Sequence, residues 1–162
     1  MMNPELALLS ERVGRVLAAR GWTMASAESC TGGWIAEVVT ATAGSSAWFD
    51  RGFVTYSNAA KREMLDVGSD TLVRHGAVSE QTVREMAAGA LTHSQAQVAV
   101  AVSGIAGPAG GSADKPVGMV CLAWAIVGQP LRAATRHFDG DRESVRRQTV
   151  ECALGELVAL LA

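Results

Sequence analysis

The chain has 162 residues, of which 49% are apolar and 19% are charged, so it can bury a sizeable core and does not have the composition of a disordered protein. Its formal net charge of -2 argues against a basic surface for nucleic acid, and no apolar run approaches the roughly 20 residues that span a bilayer. The N-terminal segment is amphipathic and unlike a signal peptide, and the three cysteines lack paired spacing. We therefore expect one domain in the reducing cytoplasm, without a nucleic-acid or membrane partner.

Helix and strand signals alternate through the first part of the chain. Asn3 and Pro4 form a helix start, because the asparagine can cap and proline suits the first helical position, and Gly21 ends that helix. The remaining elements of this part are a strand over residues 22–27, a helix from Trp34, a strand over residues 48–56 and a short helix that begins at Ser57–Asn58 and runs through Leu65.

The rest of the chain predicts a long amphipathic helix capped by Ser79, followed by three strands and a last helix. These strands cover residues 98–102, 117–127 and 131–138, with the last antiparallel to the one before it. The final helix is capped by residues 139–141 and turns these side chains inward: Val145, Thr149, Cys152, Leu157 and Leu160. The order of elements predicts a three-layer α/β/α domain on a mixed, largely parallel sheet.

Small and polar residues follow the strands at four places. The carboxyl ends of parallel strands meet at one edge of a sheet, and ligands bind at that edge in open α/β folds. We therefore expect these segments to form one site: residues 28–33, 56–61, 103–111 and 140–142.

Residues 28–33 have the strand-turn-helix layout that exposes a nucleophile and aims backbone N–H groups at an anion. Ser29 and Cys30 are rival nucleophiles in this turn, and its glycines allow a ligand to approach the backbone. The alternative is an ordinary helix cap in which the cysteine is a small buried apolar residue. The other residues of the turn are assigned to substrate binding: Glu28, Cys30, Thr31, Gly32 and Gly33.

A serine nucleophile needs a base, and none of the three histidines has an obvious carboxylate partner in the sequence. Lys61 is one of only two lysines and falls in the first turn of a predicted helix, where the helix dipole disfavours an ammonium. Partial burial there would lower its pKa and give a neutral amine that can take a serine proton. The alternative is an exposed surface lysine. Tyr56 could orient the amine or relay a proton, or could simply pack at the strand end.

The glycine-rich loop over residues 103–111 has the composition of an anion-binding nest, although such loops are usually only loops. Arg142 could make a bidentate phosphate contact, or could be a surface arginine. Lys115 is assigned no chemistry. The further candidate binding residues are Asn58, Ser103, Gly104, Gly107 and Gly110.

Six segments in this order together resemble the CinA C-terminal domain family, and the resemblance covers nearly the whole chain. They are AESCTGG (27–33), GFVTYSNAAK (52–61), GAVSE (76–80), SGIAGPAGG (103–111), KPVG (115–118) and FDGDR-ESVR (138–146). The resemblance is to the stand-alone form of this domain, without the molybdopterin-binding-like domain that precedes it in longer CinA proteins. We therefore expect residues 1–162 to form a single CinA C-terminal-like domain.

The resemblance implies an amidase that hydrolyses nicotinamide mononucleotide (NMN) to nicotinic acid mononucleotide and ammonia in NAD salvage. It implies Ser29 as the nucleophile, Lys61 as the base and Tyr56 as an assisting group, with Arg142 in contact with phosphate or substrate. Ser103 stands where many relatives carry threonine, so a hydroxyl is kept. The scheme calls for no cofactor or metal, and family analogy implies a homo-oligomer. Two alternatives stay open: a non-catalytic nucleotide-binding regulatory module, linked to competence or DNA damage, and an enzyme that uses Cys30.

Overall fold

The computed structural model describes residues 2–162, which form helices on both faces of a five-stranded sheet. The helices are α1 (Pro4–Arg20), α2 (Trp34–Thr40), α3 (Asn58–Leu65), α4 (Ser69–His75), α5 (Glu80–Thr92) and α6 (Arg142–Leu161). The strands are β1 (Met24–Glu28), β2 (Phe49–Val54), β3 (Val98–Gly104), β4 (Met119–Ile126) and β5 (Arg132–His137). A short 3₁₀ turn, Ser45–Ala47, precedes β2.

The strands lie in the order β2-β1-β3-β4-β5. Strand β1 is parallel to both β2 and β3, whereas β4 is antiparallel to both β3 and β5. The expected three-layer domain on a mixed sheet is therefore confirmed, and so is the antiparallel pairing of the last two strands. Because β1, β2 and β3 all point the same way, their carboxyl ends meet at one edge.

The two faces of the sheet differ in side-chain size. Along β3 the valines Val98, Val100 and Val102 belong to the core shared with α1, α2 and α6. The alternating alanines Ala99 and Ala101 belong to the core under α3, α4 and α5. Successive strand residues point to opposite faces, so this Val-Ala alternation leaves room for α5 to lie close to the sheet.

Three differences separate the structure from the sequence expectations. Helix α4 is absent from the predicted elements, because it has only seven residues and is flanked by Gly68 and Gly76. Four of the five predicted strands are longer than the observed ones, as in β2, where pairing stops at Val54 before the chain turns into α3. Strand β3 instead runs on to Gly104, two residues past the predicted end. In α6, Val145, Thr149 and Leu157 are buried as expected, whereas Cys152 and Leu160 are only half-buried. The helical period also turns residues inward that were not predicted to be: Val150, Ala153, Leu154 and Leu161.

Two hydrogen bonds tie the loops at the carboxyl edge to neighbouring strands. The Ser29 N–H donates to the Val102 carbonyl at 3.1 Å, and the Thr55 N–H donates to the Glu28 carbonyl at 2.8 Å. The segments that follow β1 and β2 thus leave the sheet in fixed directions. Within residues 2–162, no helix has both the length and the apolar character needed to cross a membrane.

Candidate active site

The turn after β1 is built around a buried carboxylate. The Glu28 side chain is 1% exposed and accepts hydrogen bonds from the Thr31 hydroxyl (2.5 Å) and from the N–H groups of Ile35 (2.8 Å) and Ala36 (3.1 Å). The last two donors are among the N–H groups that the first turn of α2 leaves unpaired. Glu28 therefore joins β1 to α2 and fixes the turn between them.

Two glycines close this turn in a conformation that other residues rarely adopt. Gly32 has φ 60° and Gly33 has φ 106°. The Gly32 N–H donates to the Ser29 carbonyl at 3.1 Å. Within residues 2–162 the Cys30 N–H donates to no backbone carbonyl and contacts its own thiol instead. The residue after Ser29 therefore keeps a backbone donor that is not tied to another residue.

Lys61 reaches this turn from α3. The helix begins after Ser57, whose hydroxyl accepts from the Ala60 N–H at 3.0 Å. The Lys61 side chain is 1% exposed, and its Nζ lies 2.9 Å from Ser29 Oγ. The same nitrogen lies 2.9 Å from the Thr55 carbonyl oxygen and 3.0 Å from the Tyr56 carbonyl oxygen. The serine and the lysine singled out in the sequence are therefore in direct contact.

Burial lowers the pKa of Lys61 below its ordinary value, because the charged amine is desolvated. A neutral amine has two N–H bonds and one lone pair. The carbonyls of Thr55 and Tyr56 can take the two N–H bonds, which leaves the lone pair for the Ser29 hydroxyl. The arrangement can therefore remove a proton from Ser29.

Cys30, the rival nucleophile, is buried at 6% exposure. Burial raises the pKa of its thiol to about 11, although the hydrogen bond from its own backbone N–H and then the Arg146 charge act in the opposite direction. The nucleophilic form of cysteine is the thiolate, and this environment disfavours it at neutral pH. Ser29, in contact with an amine, is the better placed nucleophile.

A cavity of about 220 Å³ opens onto the Ser29–Lys61 pair. It is lined by Ser29, Cys30, Tyr56, Lys61, Ala77, Val78, Ser103, Gly104, Ala106 and Arg142. The segments after β1, β2 and β3 and the start of α6 thus meet at one place. Position 104 requires glycine, because an added Cβ would lie 2.6 Å from Val120 Cγ2 on the neighbouring strand.

Arg142 and Tyr56 meet beside this cavity. Arg142 Nη1 donates to the Gly107 carbonyl at 2.8 Å, and its Nη2 lies 3.4 Å from the Tyr56 hydroxyl. The Tyr56 side chain is 63% exposed, so its ring lies towards solvent while its carbonyl holds Lys61. A second cavity of about 480 Å³ shares Ala106 and Arg142 with the first.

Several residues assigned from the sequence lie outside the cavity wall. Thr31 is fully buried and its hydroxyl serves Glu28. Asn58 and Gly110 are exposed, and Gly107 acts through its carbonyl on Arg142. The histidines are also elsewhere: none lines this cavity, and His93 pairs with Asp66 at 2.5 Å.

Two basic residues contribute contacts that the sequence interpretation did not assign. Arg146 donates from Nε to the Cys30 carbonyl at 2.9 Å and from Nη2 to the Thr31 carbonyl at 3.0 Å. Lys115 donates to the His75 carbonyl at the end of α4, next to the segment that supplies Ala77 and Val78 to the cavity. The only signal in the sequence was that both residues lie within the motifs quoted for the family resemblance.

The sequence profile of the CinA C-terminal domain matches residues 6–161. The chain belongs to the CinA C-terminal domain family. It is 56% identical over 157 residues to the nicotinamide-nucleotide amidohydrolase PncC of Escherichia coli (strain K12), covering 97% of this chain and 95% of that protein. It is 51% identical over 159 residues to a protein of the same name from Pseudomonas putida, covering 98% of each.

A solved structure has the same fold as this CinA-domain chain. It is that of the competence/damage inducible protein CihA from Agrobacterium tumefaciens, which superimposes with a TM-score of 0.96 at 48% identity, covering 100% of this chain and 99% of that one. The family expected from the six sequence motifs is therefore confirmed, and the names of the relatives agree with the expected activity.

Proposed function

We propose that this chain is a nicotinamide-nucleotide amidohydrolase that converts NMN and water into nicotinic acid mononucleotide and ammonia. Ser29 is the nucleophile and Lys61 is the general base. The names of relatives that are 51–56% identical over almost the full chain support the activity. The geometry of the cavity supports the assignment of the two residues.

The contact between Lys61 Nζ and Ser29 Oγ, at 2.9 Å, carries the assignment. A buried lysine without a carboxylate partner is unfavourable for stability unless its amine is neutral or fully hydrogen-bonded. Here burial lowers the pKa of the amine, and two carbonyls fix its direction. A surface lysine would have neither property.

The reaction follows from this arrangement as an acyl transfer. The neutral Lys61 amine takes the Ser29 proton while the serine oxygen attacks the carboxamide carbon of NMN. The resulting ammonium returns a proton to the departing nitrogen, which leaves as ammonia. Water then hydrolyses the ester on Ser29, with Lys61 again as the base, and releases the carboxylate product.

The negative oxygen of the tetrahedral intermediate needs hydrogen-bond donors. The Cys30 N–H is adjacent to the nucleophile and, within residues 2–162, donates to no backbone carbonyl. One donor of this kind contributes about 3 kcal/mol to transition-state stabilisation. We assign the oxyanion contact to this group.

The phosphate of NMN requires a cation beside the cavity that holds the amide. Arg142 lies between the cavity at Ser29 and the second cavity, so it is placed to meet the phosphoribosyl group. Ser103, which is 1% exposed and lines the first cavity, offers a hydroxyl to the substrate. Tyr56 assists through its carbonyl, which orients Lys61.

We further propose that the chain forms one domain over residues 1–162 and acts in the cytoplasm as a homo-oligomer. The family profile spans residues 6–161, which supports one domain. The cysteines are all free, which fits a reducing compartment. The edge strands β2 and β5 carry exposed residues and offer surfaces for a second copy.

Turnover of NMN by the purified chain tests the proposal. Ammonia and nicotinic acid mononucleotide should appear in equal amounts with the wild type and should be lost in Ser29→Ala. Tight NMN binding by a folded wild type without turnover would instead identify a regulatory module. Activity that survives in both Ser29→Ala and Lys61→Met would refute the assigned residues.

A further inference from the structure

Arg146 of α6 binds the same turn that Lys61 reaches from α3. Its guanidinium makes two hydrogen bonds to successive carbonyls of that turn, Cys30 at 2.9 Å and Thr31 at 3.0 Å. The same group lies over the Trp34 ring, 5.2 Å from its centroid. A planar group that is bonded along its edge and stacked on its face has little freedom to rotate.

The fixed carbonyls determine where the N–H groups of the turn point. A trans peptide is planar, so holding its C=O on one side turns its N–H to the other. Arg146 holds the Thr31 carbonyl, which turns the Gly32 N–H away from α6. That N–H donates to the Ser29 carbonyl at 3.1 Å. The Ser29 carbonyl is then fixed as well, and so the Cys30 N–H points to the other side of that peptide.

We infer that Arg146 is a positioning residue for amide hydrolysis: it orients the peptides of the Ser29–Gly32 turn so that the Cys30 N–H is aimed at the developing oxyanion. Arg146 does not line the cavity, so it acts through the turn and makes no contact with substrate. This inference rests on the proposed function, since it requires an oxyanion at Ser29.

A positioning residue should affect kcat much more than KM. The substrate contacts of Arg142 and Ser103 do not involve Arg146, so KM should change less than about twofold in Arg146→Met. Removing one oxyanion donor lowers kcat about 100-fold or more in serine hydrolases, so misdirecting one should lower kcat by about 10- to 100-fold. Arg146→Lys keeps the positive charge but cannot make both hydrogen bonds with the planar guanidinium geometry. Its kcat should therefore lie between those of the wild type and Arg146→Met.

The neighbouring arginine provides a matched control. Arg147 lies on the same turn of α6, but its hydrogen bonds go to Glu151 at 2.9 Å and to Ser144 at 3.4 Å, and none goes to the nucleophile turn. Arg147→Met removes the same charge and should leave kcat within about twofold of the wild type.

The decisive experiment combines NMN kinetics with amide hydrogen exchange. In Arg146→Met, exchange at the Gly32 N–H should speed up together with the loss of kcat, while exchange in the sheet core stays slow. A folded Arg146→Met with wild-type kcat would overturn the inference, as would equal losses of kcat in the Arg146 and Arg147 variants. If Arg146→Met does not fold, an Arg146→Lys protein with wild-type kcat and Gly32 exchange overturns it instead. A wild type without NMN turnover would refute the proposed function itself, which is a different result.

Discussion

The side-chain nitrogen of Lys61 lies 2.9 Å from the Ser29 hydroxyl oxygen, and both groups are buried. The two residues are separated by α2 and β2 in the chain and meet only because β1 and β2 are parallel neighbours. An arginine at position 61 could not replace the lysine, because a guanidinium stays protonated and cannot act as a base.

Replacing Lys61 by methionine should separate activity from stability. The base is lost, so kcat/KM should fall by about 1,000-fold. The buried amine is replaced by an apolar group of similar length, so the free energy of unfolding at pH 7 should stay level or rise by about 1 kcal/mol. Urea denaturation and NMN kinetics on the same preparation check both results. A large loss of stability would show that the amine is charged and well compensated in the wild type.

The pH dependence of activity should report the neutral form of Lys61. Because burial lowers the pKa of this amine, kcat/KM should rise with pH through the lowered value and then level off before the ordinary value of 10.5. If kcat/KM rose only near pH 10.5, or did not change with pH, the lowered pKa of Lys61 would be contradicted.

Stability should follow pH through the same residue. Between the lowered pKa and 10.5 the unfolded chain holds a proton on Lys61 that the folded chain lacks. Stability rises with pH wherever the unfolded state binds more protons, so the free energy of unfolding attributable to this residue should increase across that window. Urea denaturation of the wild type and Lys61→Met at several pH values isolates the contribution of this residue. The free energy of unfolding of the wild type should approach or exceed that of Lys61→Met as pH rises.

Thiol reagents should leave the enzyme active near neutral pH. Burial raises the pKa of Cys30 to about 11 and also raises the pKa values of Cys121 and Cys152. Iodoacetamide at pH 7 should therefore react slowly, and Cys30→Ala should keep kcat within about tenfold of the wild type, because the Cys30 N–H survives the substitution. Complete loss of turnover in a folded Cys30→Ala would restore the cysteine as the nucleophile.

Glu28→Gln should weaken both the fold and the turn. One carboxylate oxygen becomes an NH₂ group, yet both oxygens accept bonds from buried donors, so about 2 kcal/mol of stability should be lost. Misplacing the turn should also lower kcat about tenfold. Glu37→Gln, an exposed change on the same helix, serves as the control and should alter neither quantity. Equal stability of the two variants would remove Glu28 from this role.

Gly89 should tolerate no side chain. A Cβ on this α5 residue would lie 2.0 Å from the Leu65 carbonyl oxygen at the end of α3. Gly89→Ala should therefore destabilise the protein by about 2 kcal/mol or more and displace the helix that carries Lys61. Gly155→Ala in α6 meets nothing within 4 Å and should stabilise it by about 0.5–1 kcal/mol. Thermal unfolding should therefore show a lower Tm for Gly89→Ala and a higher Tm for Gly155→Ala than for the wild type. A wild-type Tm in Gly89→Ala would contradict the close contact with Leu65.

The strands, their mixed orientation and the grouping of loops at one edge could be predicted from periodicity and turn residues. The turn after one strand and the helix start after the next are local patterns as well, and they made Ser29 and Lys61 candidates. Those patterns left Cys30 and a surface lysine open as alternatives, and it was the family resemblance that paired Ser29 with Lys61. The roles of Glu28 and Arg146 could not, since they depend on distances set by how α2 and α6 pack. Sequence position alone makes Glu28 resemble a substrate contact and Arg146 resemble a surface charge.

Two of the three groups that hold the Lys61 amine are the carbonyls of Thr55 and Tyr56. Every amino acid has a main-chain carbonyl, so no single substitution removes one. The direction of the Lys61 amine is therefore little affected by most substitutions at positions 55 and 56, including loss of the tyrosine ring. Lys61, the proposed proton acceptor, has no such protection, because a single nucleotide change in its codon is enough to remove the amine.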